Sequence, residues 1–210
     1  MPPKPRFTRE EITEAAYKIA SVKGIDAVMA REVGKALGST ARPIFTVFTG
    51  MDELKEAVRA LAQKRCLEYL SGAFEYAPAF KEFGMRWVRY ALEQPHLFSL
   101  VFSDAGSPAE IKEIFGPLTE QVISSAVSEY SLTPEHAKAL MDRMTVFSTG
   151  IATFALRGGE KLSETEVAKA YSEVGIGMVI RFQILEGTFQ PASFQPMLDQ
   201  PEFIPTRINP

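Results

Sequence analysis

Cysteine is nearly missing from this chain: Cys66 is the only one in 210 residues. No intrachain disulfide can form, and a reducing cytoplasm is the expected compartment. Histidine is scarce too. With only His96 and His136 beside that single cysteine, a zinc site lacks ligands, and no metal is expected. No apolar run approaches the roughly 18–20 residues needed to cross a bilayer, so no membrane partner is expected. The amino-terminal MPPKPRFTREE lacks the apolar core of a signal peptide. The G-x-S-x-G, P-loop and dinucleotide motifs are absent. The carboxylates are scattered at helix-surface spacing, as on a solvated face. Nothing here composes a catalytic set, so the chain is not expected to be an enzyme and no cofactor is expected.

Charge of one sign is also limited, with a net of -3, but it is unevenly placed. Residues 1–65 hold 12 Lys+Arg against 8 Asp+Glu, and residues 66–210 hold 11 against 18. A basic head on an acidic body fits a nucleic-acid reader joined to an unrelated second region. The hydrophobic content of 46% and charged content of 23% are those of a globular protein with a sizeable core.

What is present is helix, punctuated by clear start and stop signals. Thr8 and Glu11 form a capping box, followed at helical spacing by Ile12, Ala15, Ala16, Ile19 and Val22. Gly24 is expected to close this helix in the left-handed conformation. A short helix follows from near Met29, with Val33, Ala36 and Leu37 inward. Gly38-Ser39 breaks it, and a second short helix is expected with Thr40 as N-cap and Pro43 at N3, where a missing N–H costs little. Ile44, Val47 and Phe48 face inward on this second helix. Ala41, Arg42, Phe45, Thr46 and Thr49 are left outward, a set of small, hydroxylated and cationic side chains suited to a major groove. Two short helices around a Gly-containing turn are the layout of a helix-turn-helix unit.

A long helix is expected from about Asp52 to Phe74, with Asp52 and Glu53 complementing its dipole. The next runs over Lys81–Glu93 and stops at Gln94-Pro95, and PHLFSLVFS forms a short apolar helix. A further helix spans about Ala109–Tyr130, with a possible interruption at Gly116-Pro117. Thr133 caps the next, with Pro134 at N1, and this helix breaks at Gly158-Gly159. Ser163 and Glu166 form a second capping box. The last long helix is apolar on nearly every side from Val174 to Leu185. Such a helix needs cover all round, from its own domain and a partner, or as the centre of a monomer. The 15 Phe and 8 Met permit an apolar ligand cavity and are equally explained as core. After Gly187 the Pro-spaced tail is expected to lack regular structure.

The head resembles the TetR-like (tetracycline-repressor-like) transcriptional regulators. Lys23-Gly24 stands where that family ends its first helix with K-G. Gly38, Ser39 and Thr40 stand at its G-V-S, Ile44-Phe45 at (L/I)-Y, and Phe48 at its closing Phe. The run WVRYALEQPHLFSLVF is similar to a stretch of the family's body. Phe45, Val47 and Met51 depart from the family's Tyr, His and Lys, which implies fewer phosphate contacts and a shallower salt dependence.

The resemblance implies an all-α protein. Residues 1–50 form a three-helix, helix-turn-helix DNA-binding head. Residues 51–187 form a helical ligand-binding and dimerisation body, with 51–74 as the linking helix, and 188–210 is a Pro-rich tail. DNA contacts are expected from Arg6, Arg31, Ser39, Thr40, Ala41, Arg42, Phe45, Thr46, Thr49 and Lys55, with Arg9 a further candidate. Trp87, Phe98, Phe102, Met144, Phe147 and Phe154 are expected to line an effector pocket. Ile151, Ala155, Val174, Met178, Arg181 and Phe182 are expected at a four-helix dimer interface. The partners implied are double-stranded DNA with a palindromic operator, a second copy of the chain and an unknown small-molecule effector. A helical adaptor, or an enzyme with a cryptic site that does not bind DNA, stands as the alternative.

Overall fold

The structure is a computed structural model, and it describes residues 6–72, 76–77, 79–102, 108–156, 163–193 and 206–207. Among these the chain is all-α: α1 (Arg9–Lys23), α2 (Ala30–Ala36), α3 (Met51–Ser71), α4 (Ala79–Glu93), α5 (Pro95–Phe102), α6 (Pro108–Tyr130), α7 (Pro134–Leu156) and α8 (Glu164–Glu186). Three short 3-10 turns and one two-residue antiparallel pairing, Tyr76–Ala77 with Thr206–Arg207, complete it. The rest of the expected Pro-rich tail, residues 194–205 and 208–210, lies outside the described residues, as does the break expected at Gly158-Gly159.

The start signals work as their chemistry dictates. In both capping boxes, Thr8/Glu11 and Ser163/Glu166, the hydroxyl accepts from the N3 backbone while the N3 carboxylate accepts from the N-cap backbone. The Thr133 hydroxyl accepts from the His136 N–H, with Pro134 opening α7. Three stop signals differ from expectation. Gly24 has φ 82 and ψ 166, positive but extended rather than left-handed helical. Helix α6 continues through Gly116-Pro117, with Pro117 exposed on its outer side; one lost backbone bond there is replaceable by water. Helix α3 begins at Met51 and ends at Ser71, short of Phe74.

The chain divides into two compact units, residues 1–68 with 93–114 and residues 69–92 with 115–210. In the first unit, Ile12, Ala16 and Ala20 of α1, Val33 of α2, Ile44, Phe48, and Leu54 and Val58 of α3 are essentially inaccessible to solvent. Helix α5 packs on α1 and adds Leu97, Phe98, Leu100 and Val101 to this core. Each such large side chain contributes about 1.5–3 kcal/mol by leaving water.

In the second unit α7 and α8 pack together. Its core includes Phe80, Phe83, Val88, Leu118, Val122, Leu140, Met144, Val167, Tyr171, Val179 and Phe182. Phe182, expected at an interface, is only 4% exposed. It stacks on the His136 ring at 4.5 Å, and the Arg143 guanidinium lies 5.0 Å from its ring centre. It is a core residue of its own unit. The Glu186 carboxylate accepts from the Thr133 N–H at 3.0 Å and from its hydroxyl at 2.6 Å, and it also pairs with His136. The carboxamide of Gln183 donates to the Tyr130 carbonyl at 2.6 Å. The end of α8 is thereby tied to the α6–α7 turn.

Candidate nucleic-acid interface

The surface of interest is built where α2 stops. Leu37 is the C-cap, Gly38 adopts φ 63, and the N–H groups of Gly38 and Ser39 donate back to the carbonyls of Lys35 and Gly34 at 3.0 and 2.8 Å. These two bonds make a Schellman motif, which turns the chain sharply and satisfies the last carbonyls of α2.

The second short helix does not form as expected. Thr40 caps nothing. The first bond of the segment is Ile44 N–H to the Ala41 carbonyl, and only Ile44–Thr46 wind into a 3-10 turn, with Pro43 preceding it. Residues 41–48 are thus a run of overlapping turns. The physical reason is local and steric. Pro43 supplies no donor, and the β-branched Ile44, Thr46 and Val47 are poor helix formers. The Thr46 hydroxyl also donates to the Pro43 carbonyl at 2.6 Å, competing for the acceptor that an α-helix would use. The inward residues are nonetheless those expected, with Ile44 and Phe48 buried, while Arg42, Phe45, Thr46 and Thr49 are exposed.

Four of the expected contact residues come together. Arg31, Ser39, Thr40 and Ala41 line one open concavity of about 530 Å³, completed by Lys35 and Gly38. Lys35 is not among the contact residues that the sequence predicts. Its position in the last turn of α2, four residues after Arg31, was the available signal. Arg42, Phe45, Thr46 and Thr49 lie beyond this concavity on the following turns, Arg6 precedes α1, and half-buried Lys55 sits on α3. Among the described residues Arg31, Lys35 and Arg42 form no ion pair, so their charges face solvent.

Arg9 and Thr49 have other work. The Arg9 guanidinium sits 4.3 Å over the Phe48 ring and donates to Glu53 at 2.7 Å. Glu53 also accepts from the Thr49 N–H at 2.7 Å and its hydroxyl at 2.8 Å. This carboxylate closes the start of α3 onto the end of the turns. Chiefly through the Thr49 N–H, then Arg9 and the Thr49 hydroxyl, the Glu53 carboxyl is held down to about 2 from its ordinary 4.5.

A pH dependence follows. A depressed carboxyl stabilises the fold fully above its unfolded pKa and loses that contribution as pH falls through the folded one. Thermal melts are expected to show the first unit weakening between pH 4.5 and 2. Glu53→Gln should lower stability at neutral pH and flatten that part of the profile; an unchanged profile would contradict the Arg9–Glu53–Thr49 contacts.

The expected effector-pocket residues are distributed over both units. Phe98 and Phe102 belong to the first, with ring centres 4.9 Å apart. Trp87, Met144, Phe147 and Phe154 belong to the second. Met144 is buried and Trp87 and Phe147 are half-buried, but Phe154 is 54% exposed and points outward. Of the expected interface residues, Val174 and Arg181 are exposed and Ile151 and Met178 half-buried, while the side chain of Ala155 lies outside the described ones.

Among the described residues the fold is all-α, and its amino-terminal part is α1, α2 and a run of turns over 41–48 leading into α3. The backbone of the chain is similar to the crystal structure of a transcriptional regulator from Rhodococcus sp. Rha1, with a TM-score of 0.52 over 88% of this chain and 100% of the other, at 15% sequence identity. At that identity the likeness establishes a common fold. No family model and no curated protein matches the sequence. No helix among the described residues is long and apolar enough to cross a membrane.

Proposed function

We propose that this protein is a TetR-like, DNA-binding transcriptional regulator that acts as a homodimer, a repressor released from a palindromic operator by a small, rather apolar effector. The observation that carries this reading is the cluster of unpaired cations and small polar groups, Arg31, Lys35, Ser39 and Thr40, around the turn of a helical head. Arg42 stands exposed just beyond it. The shared fold with a transcriptional regulator supports it. In this reading residues 1–50 read DNA, residues 51–187 dimerise and sense the effector, and Trp87, Met144 and Phe147 are candidate lining residues. Effector binding shifts the population toward a dimer whose two heads no longer match successive major grooves, about 34–36 Å apart.

The test is an anisotropy titration with a mixed-sequence duplex over a range of salt. Each phosphate contact adds nearly one unit to the slope of log K against log salt, about 0.9 for duplex DNA. The slope is expected to be shallow. Arg42→Ala and Lys35→Ala are each expected to weaken binding and lower the slope by about one unit. A steep slope that survives loss of Arg42 would sink the assignment, and no binding at low salt would favour the adaptor alternative.

Dimerisation rests on a separate observation. Helices α7 and α8 leave Val146 74%, Phe154 54%, Ile184 59% and Leu185 61% exposed, apolar side chains that a second copy would cover. The Val146→Glu/Leu185→Glu protein is expected to sediment as a folded monomer where the parent sediments as a dimer. A parent that is monomeric at high concentration would remove dimerisation from the proposal.

A further inference from the structure

A second surface of the first unit adjoins the DNA-facing cluster and shares Lys35 with it. Along the outer side of α1 run Ala15, Ile19 and Val22, and with Phe7, Ala36 and Leu37 they floor a groove of about 550 Å³. Ile19, Lys23 and Ala36 also line an adjoining concavity of about 480 Å³ that reaches Ala27 and Met29. Val22 is 70% exposed and Met29 56% exposed, so the floor is apolar and open. Glu11 to Lys23 spans about 18 Å of helix at the rise of 1.5 Å per residue, the length of about 12 residues of a partner helix.

The rim charges select the occupant. Lys18, Lys23 and Lys35 are exposed, and among the described residues none of them is ion-paired. The acids beside them are largely committed. Glu11 is held in the capping box with Thr8, and Glu14 accepts both guanidinium nitrogens of Arg65, at 2.7 and 3.4 Å. A backbone hydrogen bond leaves the Glu11 charge in place, so Glu11 and Glu32 face Lys18, Lys23 and Lys35, and the rim keeps a net positive charge. An apolar floor beneath a cationic rim matches an amphipathic helix whose flanks carry carboxylates. We infer that the α1–α2 groove docks an acidic amphipathic helix of a partner protein. A basic helix would meet like charge on the rim, and a wholly apolar one would leave the three ammonium groups without a counter-charge.

The test uses the full chain without DNA, because Lys35 lines both surfaces. The probe is a fluorescein-labelled peptide of about 14 residues, with Leu at i, i+3, i+4 and i+7 and Glu on both flanks, beside its Glu-to-Lys counterpart and a scrambled acidic sequence. Binding of the acidic helix alone, weakened by added salt, is expected. Lys18→Glu/Lys23→Glu and, separately, Val22→Glu should each weaken it about tenfold or more, which is about 1.4 kcal/mol. Val22 is exposed, so its substitution leaves the core intact, and circular dichroism and thermal melts verify folding. Equal binding of all three peptides overturns the inference, as does binding that survives both variants or no binding up to about 1 mM, the limit of a weak interface. Loss of the parent's self-association in Val22→Glu would make a second copy the occupant and overturn it too.

Discussion

Gly34→Ala is expected to destabilise the first unit and to weaken DNA binding, although helix propensity alone favours the change. Alanine in a helix interior is about 1 kcal/mol better than glycine. Against this, a Cβ at position 34 would lie 2.7 Å from the Thr40 carbonyl carbon and oxygen and 2.9 Å from the Ala41 nitrogen. These are backbone atoms and cannot rotate aside. The Gly34 carbonyl also accepts the Ser39 N–H at 2.8 Å, so the segment that must move is pinned to the residue that displaces it. Overpacking of this kind costs about 1–3 kcal/mol, which outweighs the propensity gain. Gly34→Val should cost more, because valine lacks most of that gain and adds two further carbons. Denaturant melts read the stability, and the duplex titration reads displacement of Ser39, Thr40 and Ala41. An alanine variant as stable as the parent, with unchanged affinity, would mean that α2 does not touch this turn.

Gly84→Ala is expected to have the largest effect in the second unit. A methyl group on Gly84 of α4 would overlap the hydroxyl end of the Tyr171 phenol of α8. Tyr171 is 4% exposed, and its ring centre is 6.3 Å from that of Phe147. Burial pushes the phenol's pKa up, out of any physiological range. The ring has no solvent to retreat into, so one of the two helices must shift. A loss of about 2–3 kcal/mol is expected, or about 5–10 °C in Tm for a chain of this size. The shape argument makes its own control: Gly84→Ala combined with Tyr171→Leu should recover part of the loss relative to Tyr171→Leu alone. Additive losses would show that the two residues do not meet. Gly150 and Gly177, beside which a Cβ would meet nothing within 4 Å, should accept alanine without such cost.

These two glycines mark the limit of reading the chain by itself. Gly84 lies in mid-helix and Gly34 in the last turn of α2, where local propensity favours alanine. The reason for Gly34 lies in the backbone of Thr40 and Ala41, brought back by the Schellman turn, and that for Gly84 in Tyr171 of a distant helix. The same holds for Lys35. Its cation joins the Arg31 cluster because the Schellman turn folds Gly38–Ala41 back beside it. Arg9 was a reasonable phosphate contact from its charge and position. It is spent instead on Phe48 and Glu53, 39 and 44 residues away.

What the sequence by itself determined is the set of features whose partners lie within about one helical turn. The Thr8/Glu11 and Ser163/Glu166 boxes, Thr133-Pro134, the Gly38 break and the inward positions of Ile12, Val33, Ile44, Phe48 and Leu54 all rest on contacts or periodicities of three or four residues. They are found where the spacing puts them. Tertiary structure fixed where the turns of 41–48 are held, between Gly34 and Glu53, although the local sterics of Pro43, Ile44, Thr46 and Val47 already disfavour a Thr40-capped helix. It also decided that α5 packs on α1, that Phe182 lies under His136 while Leu185 is left bare, and that three lysines surround an apolar groove without partners. Such outcomes depend on which surfaces meet after the helices have formed. A period of 3.6 residues sets which face of a helix is apolar, but not which neighbour covers it.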